Sequence, residues 1–361
     1  MKLIRIFGLA SHSFKERTSG VDFVRIIQPL KALNGYKDDE VEFKTTIFDP
    51  KNTDSFDWRD VFRDYDIVYF NYVNNDIGYA IMGLMAQKYG RKLVCDLDDN
   101  LWSILPDNGA YEAFKKGSEG IKIVTAIFND VHYMTCTNHY LRNAIAFNTL
   151  KTHDKIKIFP NYIDLDLYKH RCNFKDRGYY VGLHFGSSTH FTSLANEEFK
   201  KGMDRIMRDY PNFTLHTVGA FLPSYQQKWG ARYKQGFGAE DIFKWIEIMP
   251  KFLDEADFMI VPLNDNVYNR SKSAIKRWEA SSAKLPFIAQ NIRQYNEVID
   301  NGIDGFLCNT ADDWYNSISK LILDKDLRRS MGEAGYQRTV REAQIQDHVV
   351  DYANFFKSII E

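Results

Sequence analysis

At 361 residues the chain has room for about two domains of ordinary size, each with its own core. Hydrophobic residues make up 44% and charged residues 26%, with 47 Lys and Arg against 48 Asp and Glu; this excludes a disordered chain and gives no overall basic field for nucleic acid. No apolar run reaches the ~18 residues that a membrane helix needs, and the apolar start at Met1 is too short for a signal peptide, so a cytoplasmic protein without a membrane anchor is expected.

Residues 3–9 read as a first parallel strand. The polar loop 10–20 ends in Thr18-Ser19-Gly20, and Val21, Val24, Ile27, Leu30 and Leu33 then recur at helical spacing, with Pro29 as a possible kink. A strand, a loop with glycine and a long helix open a doubly wound domain, although the loop is not GxGxxG. Read from the residues alone, Arg25 is a solvated helix arginine. Strands are expected at 41–48, 66–71 and 92–97, and a helix at 77–89.

The fourth strand runs into Asp96-Leu97-Asp98-Asp99, three carboxylates at the end of a strand where chemistry is usually placed. They read either as an acid/base or metal cluster or as a loop whose aspartates cap and orient the backbone. A single helix over 111–130 follows, then a strand at 133–137, a helix from Asn138, and the strand and turn 155–164. The polar stretch 168–178 is the expected linker. Cys95, Cys136, Cys172 and Cys308 are scattered without a CxxC pair and read as reduced thiols.

The second half opens with a strand at 179–185 and the small-residue turn Gly186-Ser187-Ser188-Thr189-His190, whose N–H groups suit phosphate; His190 is the histidine most readily tied to a site. A helical stretch follows at 194–208, a strand at 213–218, and an irregular stretch at 223–241. The apolar run 258–263 is a buried strand and 264–271 a polar loop. Ala274, Ile275, Trp278 and Ser282 fall at helical spacing, with Ser273 as the expected N-cap. Lys272 and Lys276 near that helix start suit phosphate, and Glu279 suits a ribose. Residues 285–289 give another strand, and helices close the chain at 314–323, 326–337 and 348–360. Strands alternating with helices in both halves predict an α/β protein of two Rossmann-like doubly wound domains.

The stretch KSAIKRWEASSAKLPFIA, continued by YNEVI, NGIDGFL and Asp313-Trp314, resembles the donor site of nucleotide-sugar glycosyltransferases of the GT-B fold, in particular the retaining family 4 (glycosyl transferases group 1) enzymes. Residues 156–164 resemble the strand and turn closing the first domain of that group. The resemblance implies domains at 1–170 (acceptor side) and 178–340 (donor side), with a terminal helix in 341–361 packed back on the first. It also implies transfer of a hexose or pentose from a nucleoside-diphosphate sugar such as UDP-glucose to an acceptor hydroxyl, with retention, without metal and without cofactor.

Carried over residue by residue, Asp98, Asp99, His190 and Lys276 are the catalytic candidates. Gly186, Ser187, Ser188, Thr189, Lys272, Ser273, Lys276 and Glu279 bind the donor, and Ser19, Gly20, Arg25, Asp96 and Asp99 face the acceptor. One departure stands out: many members carry a glutamate eight positions before the helix glutamate, where this chain has Ser271. The acceptor stays open between a glycan and a hydroxymethylated base in DNA, as in compact phage-type enzymes. A basic stripe including Arg142, Lys151, Lys155, Lys157, Lys169, Arg171, Lys175 and Arg177 would suit the phosphate backbone of the latter; the other reading is that loops between domains are simply rich in lysine. A non-catalytic nucleotide-sugar-binding partner subunit and a sugar-nucleotide epimerase are the readings of other classes. Oligomeric state is open.

Overall fold

The computed structural model describes residues 1–13, 17–48, 57–73, 76–172, 174, 177–186 and 191–360. Strands β1 (Lys2–Leu9), β2 (Val41–Ile47), β3 (Ile67–Asn71), β4 (Lys92–Leu97), β5 (Tyr133–Cys136) and β6 (Ile156–Ile158) form one sheet in the order β2-β1-β3-β4-β5-β6. Strands β7 (Tyr180–Gly186), β8 (Phe213–Gly219), β9 (Tyr233–Gly236), β10 (Phe258–Val261), β11 (Phe287–Gln290) and β12 (Phe306–Cys308) form a second, in the order β12-β11-β10-β7-β8-β9. Every ladder within the two sheets is parallel. Strands buried on both faces explain the near-continuous apolar runs of β3, β4 and β10. The chain is thus two doubly wound α/β domains, the GT-B architecture.

In such sheets ligands gather beyond the carboxyl ends of the strands, at the point where strand order reverses. That point lies between β1 and β3 in the first sheet and between β7 and β10 in the second. The helix that follows β1 and the segment after β10 both line one cleft between the domains.

Several local expectations are corrected. The first helix is α-helical at Gly20–Asp22, π-helical over Phe23–Ile27 and α-helical again over Gln28–Leu33. The wide turn comes immediately before Pro29, whose ring cannot donate a backbone hydrogen bond. Residues 111–130 form two helices, Tyr111–Phe114 and Glu119–Asp130, because Gly117 takes a left-handed φ of 85° and Ser118 caps the second. The stretch 223–241, expected to be irregular, holds the helix Pro223–Trp229 and edge strand β9, folded around a cluster of Tyr225, Trp229 and Tyr233. The polar loop after β10 contains a short helix, Val267–Arg270.

The last helix, Val349–Ser358, crosses back to the first domain. Tyr352 stacks on Phe159 at 3.9 Å, and Phe356 is buried against Tyr69. The two crossing segments run side by side: the Ile163 N–H donates to the Ala343 carbonyl, and the Ile345 N–H to the Ile163 carbonyl. All four cysteines are free thiols, and Cys95, Cys136 and Cys308 are buried. No helix among the described residues is long and apolar enough to cross a membrane.

Candidate active site

The helix that carries Lys276 and Glu279 spans Ile275–Ser282. Its tilt is fixed from beneath. Arg277 is fully buried and pairs with Asp304 at 3.2 Å, and the neighbouring helix Lys325–Glu342 presses close through Gly332 and Gly335, where a Cβ would collide with Lys284 and Arg277. That packing turns Lys276 and Glu279 outward into a cavity of about 270 Å³. Lys272 and Ser273 enter the same cavity from the segment before the helix. Ser273 is not the N-cap: the helix starts after Ala274, and the Ser273 hydroxyl instead accepts a 2.8 Å hydrogen bond from the Asn161 side chain.

The first domain supplies the opposite wall with Gly20, Asp98 and Asp99. Asp99 reaches across the cleft. Its carboxylate lies 3.0 Å from the Lys272 ammonium and accepts a 2.9 Å bond from the Tyr268 hydroxyl. Asp98 makes no hydrogen bond among the described residues. Burial, with the charges of Asp99 and Asp96 added, pushes its carboxyl up to about 7.

The charges that the second domain brings to the cavity are equally perturbed. Burial, and then repulsion from Lys272, brings Lys276 down to about 8, against the pull of Glu279 and Asp99. Burial raises Glu279 to about 7 despite the Lys276 charge and a hydrogen bond from the Tyr168 hydroxyl. Burial works against the Lys272 charge, but Asp99, with Tyr268 and Asp98, holds its ammonium above the usual range. Opposed, desolvated charges of this kind cluster where ligands bind.

Two acceptor-side expectations are corrected. Asp96 is fully buried inside β4 and does not face the cleft. It holds Arg25, which is not the solvated helix arginine of the other reading either. The guanidinium donates from Nε and Nη2 to the Asp96 carboxylate at 2.9 and 2.7 Å, and from Nη1 to the Phe159 carbonyl and the Asn161 side-chain oxygen at 2.6 and 2.8 Å. Thr135 and Tyr69 hydroxyls complete the carboxylate's shell. Although Arg25 borders the cavity, its donors are largely committed to the protein, so it supports the site's floor rather than gripping a ligand. Ser19 caps the first helix through the Val21 N–H.

Gly186 ends β7, beside the β7/β10 switch point; Ser187, Ser188, Thr189 and His190 lie outside the described residues. Ser271 is buried at the domain seam, donating to the Val267 carbonyl and accepting from Asn100. The carboxylate near Lys272 therefore comes from Asp99 of the other domain. Of the basic stripe, Lys151, Arg171 and Arg177 direct their charges to carbonyls or carboxylates of the protein itself, which leaves Arg142, Lys155, Lys157 and Lys169 among the described residues; of these Lys157 and Lys169 are exposed. Lys175 lies outside the described residues.

Three residues of the site were not assigned from sequence. Asn161 joins Arg25 to Ser273 across the domains, Tyr168 bonds Glu279, and Gln294 forms part of the cavity wall. Only Asn161 carried a signal, its place in the turn after Phe159-Pro160.

Residues 184–324 match the family model described as glycosyl transferases group 1. Similar solved structures cover nearly the whole chain. Anabaena Alr3699/HepE in complex with UDP and glucose has a TM-score of 0.64 at 14% identity, over 98% of this chain and 100% of that one. A glycosyltransferase from Rickettsia africae ESF-5 gives 0.63 at 12%, over 100% of both chains. Sucrose-phosphate synthase from Thermosynechococcus elongatus gives 0.63 at 12%, over 99% of both. No curated protein matches the chain in sequence. With a glycosyl transferases group 1 domain over 184–324 and the two facing sheets of the GT-B fold, the chain is a glycosyltransferase.

Proposed function

We propose that the cleft binds a UDP-sugar and transfers its hexose or pentose to an acceptor hydroxyl with retention at the anomeric carbon. The observation that carries this reading is the convergence of Lys272, Lys276 and Glu279 with Asp98 on one interdomain cavity. Glu279 accepts hydrogen bonds from the ribose. Lys276 and Lys272 receive the diphosphate. When the bond between the anomeric carbon and the β-phosphate oxygen breaks, its electron pair leaves on UDP. Two lysines placed beforehand stabilise that charge, and in a desolvated cleft they do so without a metal or other cofactor. The acceptor oxygen bonds the anomeric carbon, and its proton passes to the departing phosphate oxygen. Asp98 holds the acceptor hydroxyl on the leaving-group face of the sugar. Among similar structures, HepE was solved in complex with UDP-glucose, which supports UDP as the first nucleotide to test.

The test is nucleotide release from UDP-, GDP- and CMP-sugars, with water, oligosaccharides or hydroxymethylcytosine DNA as acceptor. Release of UDP, accelerated by one acceptor class, is expected. Binding of no nucleotide sugar would refute the reading. Stimulation by the DNA alone would identify a modified base as acceptor.

A further inference from the structure

Gln294 is 2% exposed, and neither its side-chain oxygen nor its side-chain nitrogen has a hydrogen-bond partner among the described residues. A buried amide left in that state is costly and uncommon, and in a well-packed protein it needs an explanation. Its position offers one. Gln294 borders the candidate donor cavity and also a second cavity of about 310 Å³ behind Lys272 and Ser273. Its neighbour Arg293 is anchored to the Lys272 carbonyl at 3.0 Å, which ties the short helix Arg293–Asn296 to the Lys272 end of the site. The second cavity shares Lys272 and Ser273 with the first but neither Lys276 nor Glu279. Gln294 thus belongs to the part of the cleft that Lys272 and Ser273 also border, where the two cavities share their walls.

We infer that Gln294 reads two neighbouring hydroxyls of the sugar being transferred. This rests on the nucleotide-sugar reading above: with ribose at Glu279 and diphosphate at the lysines, the next group along the donor is the sugar. A carboxamide presents one acceptor and one two-proton donor side by side, which matches a vicinal diol in which one hydroxyl donates and the other accepts. Asp98 and Asp99 stand across the cavity, so the sugar lies between an amide that selects it and a carboxylate that places the acceptor. The ligand class is a nucleoside diphosphate hexose or pentose with both hydroxyls free, and an epimer at either position leaves part of the amide unpaired. A site built on hydrogen bonds discriminates strongly against analogues that lack a partner.

The experiment is calorimetric titration of the full chain with UDP, UDP-glucose, UDP-galactose and UDP-N-acetylglucosamine, repeated for Gln294→Met and Gln294→Ala. Met keeps the length of the side chain and removes both hydrogen-bonding atoms. The wild type is expected to prefer one sugar over its epimer by roughly ten-fold or more, and both variants to lose that preference while UDP affinity stays the same. Melting temperatures of the variants are expected to hold, since no hydrogen bond within the protein is removed. Equal sugar preference in the wild type and both variants would overturn the role of Gln294 while leaving the donor site intact. Failure of the wild type to bind UDP or any of the UDP-sugars would overturn the nucleotide-sugar reading itself, and this inference with it.

Discussion

Asp99 and Lys272 belong to different domains, and their charged atoms meet at 3.0 Å inside the cleft. The pair has two consequences. It ties the domains together where the diphosphate is proposed to bind, and it places a negative charge in competition with that diphosphate for the same lysine. At an effective dielectric near 20, two charges 4 Å apart interact by about 4 kcal/mol, so the competition is large enough to measure.

Asp99→Asn tests it. Removing the charge while keeping the shape is expected to tighten UDP binding, on the order of ten-fold by calorimetry. Transfer to the acceptor is expected to fall, because Lys272 loses the partner that sets its place. Weaker UDP binding in the variant would mean that Asp99 assists the donor rather than competing with it.

The pH dependence follows from two groups moved in opposite directions. Glu279, raised to about 7, is a carboxylate only above that pH, and Lys276, lowered to about 8, is a cation only below that pH. Ribose binding is therefore lost on acidification and phosphate binding on alkalinisation. A narrow bell in kcat/KM between about pH 7 and 8 is expected, reporting the free enzyme. Glu279→Gln removes the donor-binding share of the acid limb. The acid limb of transfer also contains Asp98, so Asp98→Asn is expected to alter transfer while leaving the pH dependence of UDP binding in place. A flat profile from pH 6 to 9 would contradict the assignment.

Arg25 and Asp96 form a buried pair whose members are 1% and 0% exposed, so either single change leaves an uncompensated charge. Arg25→Met or Asp96→Asn is expected to lower stability by about 3–5 kcal/mol in urea melts, and the double change by less than the sum. Additive losses would show that the two side chains do not act as a pair. Activity per folded molecule is expected to survive better than in the Lys276 variants, since neither group is proposed to touch substrate.

Much of the fold follows from local pattern. Apolar runs such as Phe258–Val261, each followed by a loop and a 3.6-residue period, locate most strands and helices. Lys272, Lys276 and Glu279 are legible as a candidate site because one short segment carries all of them. What pattern could not show is pairing at long range. Arg25 sits among Val21, Val24 and Ile27, and only Asp96, 71 residues away, explains why a charge is buried there. The edge strand Tyr233–Gly236 was hidden because its aromatic neighbours serve as packing for a cluster rather than as a strand signature. Ser273 has the chemistry of an N-cap, but the hydrogen bond from Asn161 draws its hydroxyl to the other domain. Gln294 gave no signal at all, since an unpartnered amide is visible only when its surroundings are known.

The central claim is that Lys272, Lys276 and Glu279 form a nucleotide-sugar site. The most direct test is calorimetric titration of UDP into the wild type and Lys276→Met, with melting curves to confirm that both are folded. Binding by the wild type, a loss of roughly ten-fold or more in the variant, and matching melting temperatures are expected. Equal UDP affinity in the two folded proteins would place the donor elsewhere and contradict the site described here.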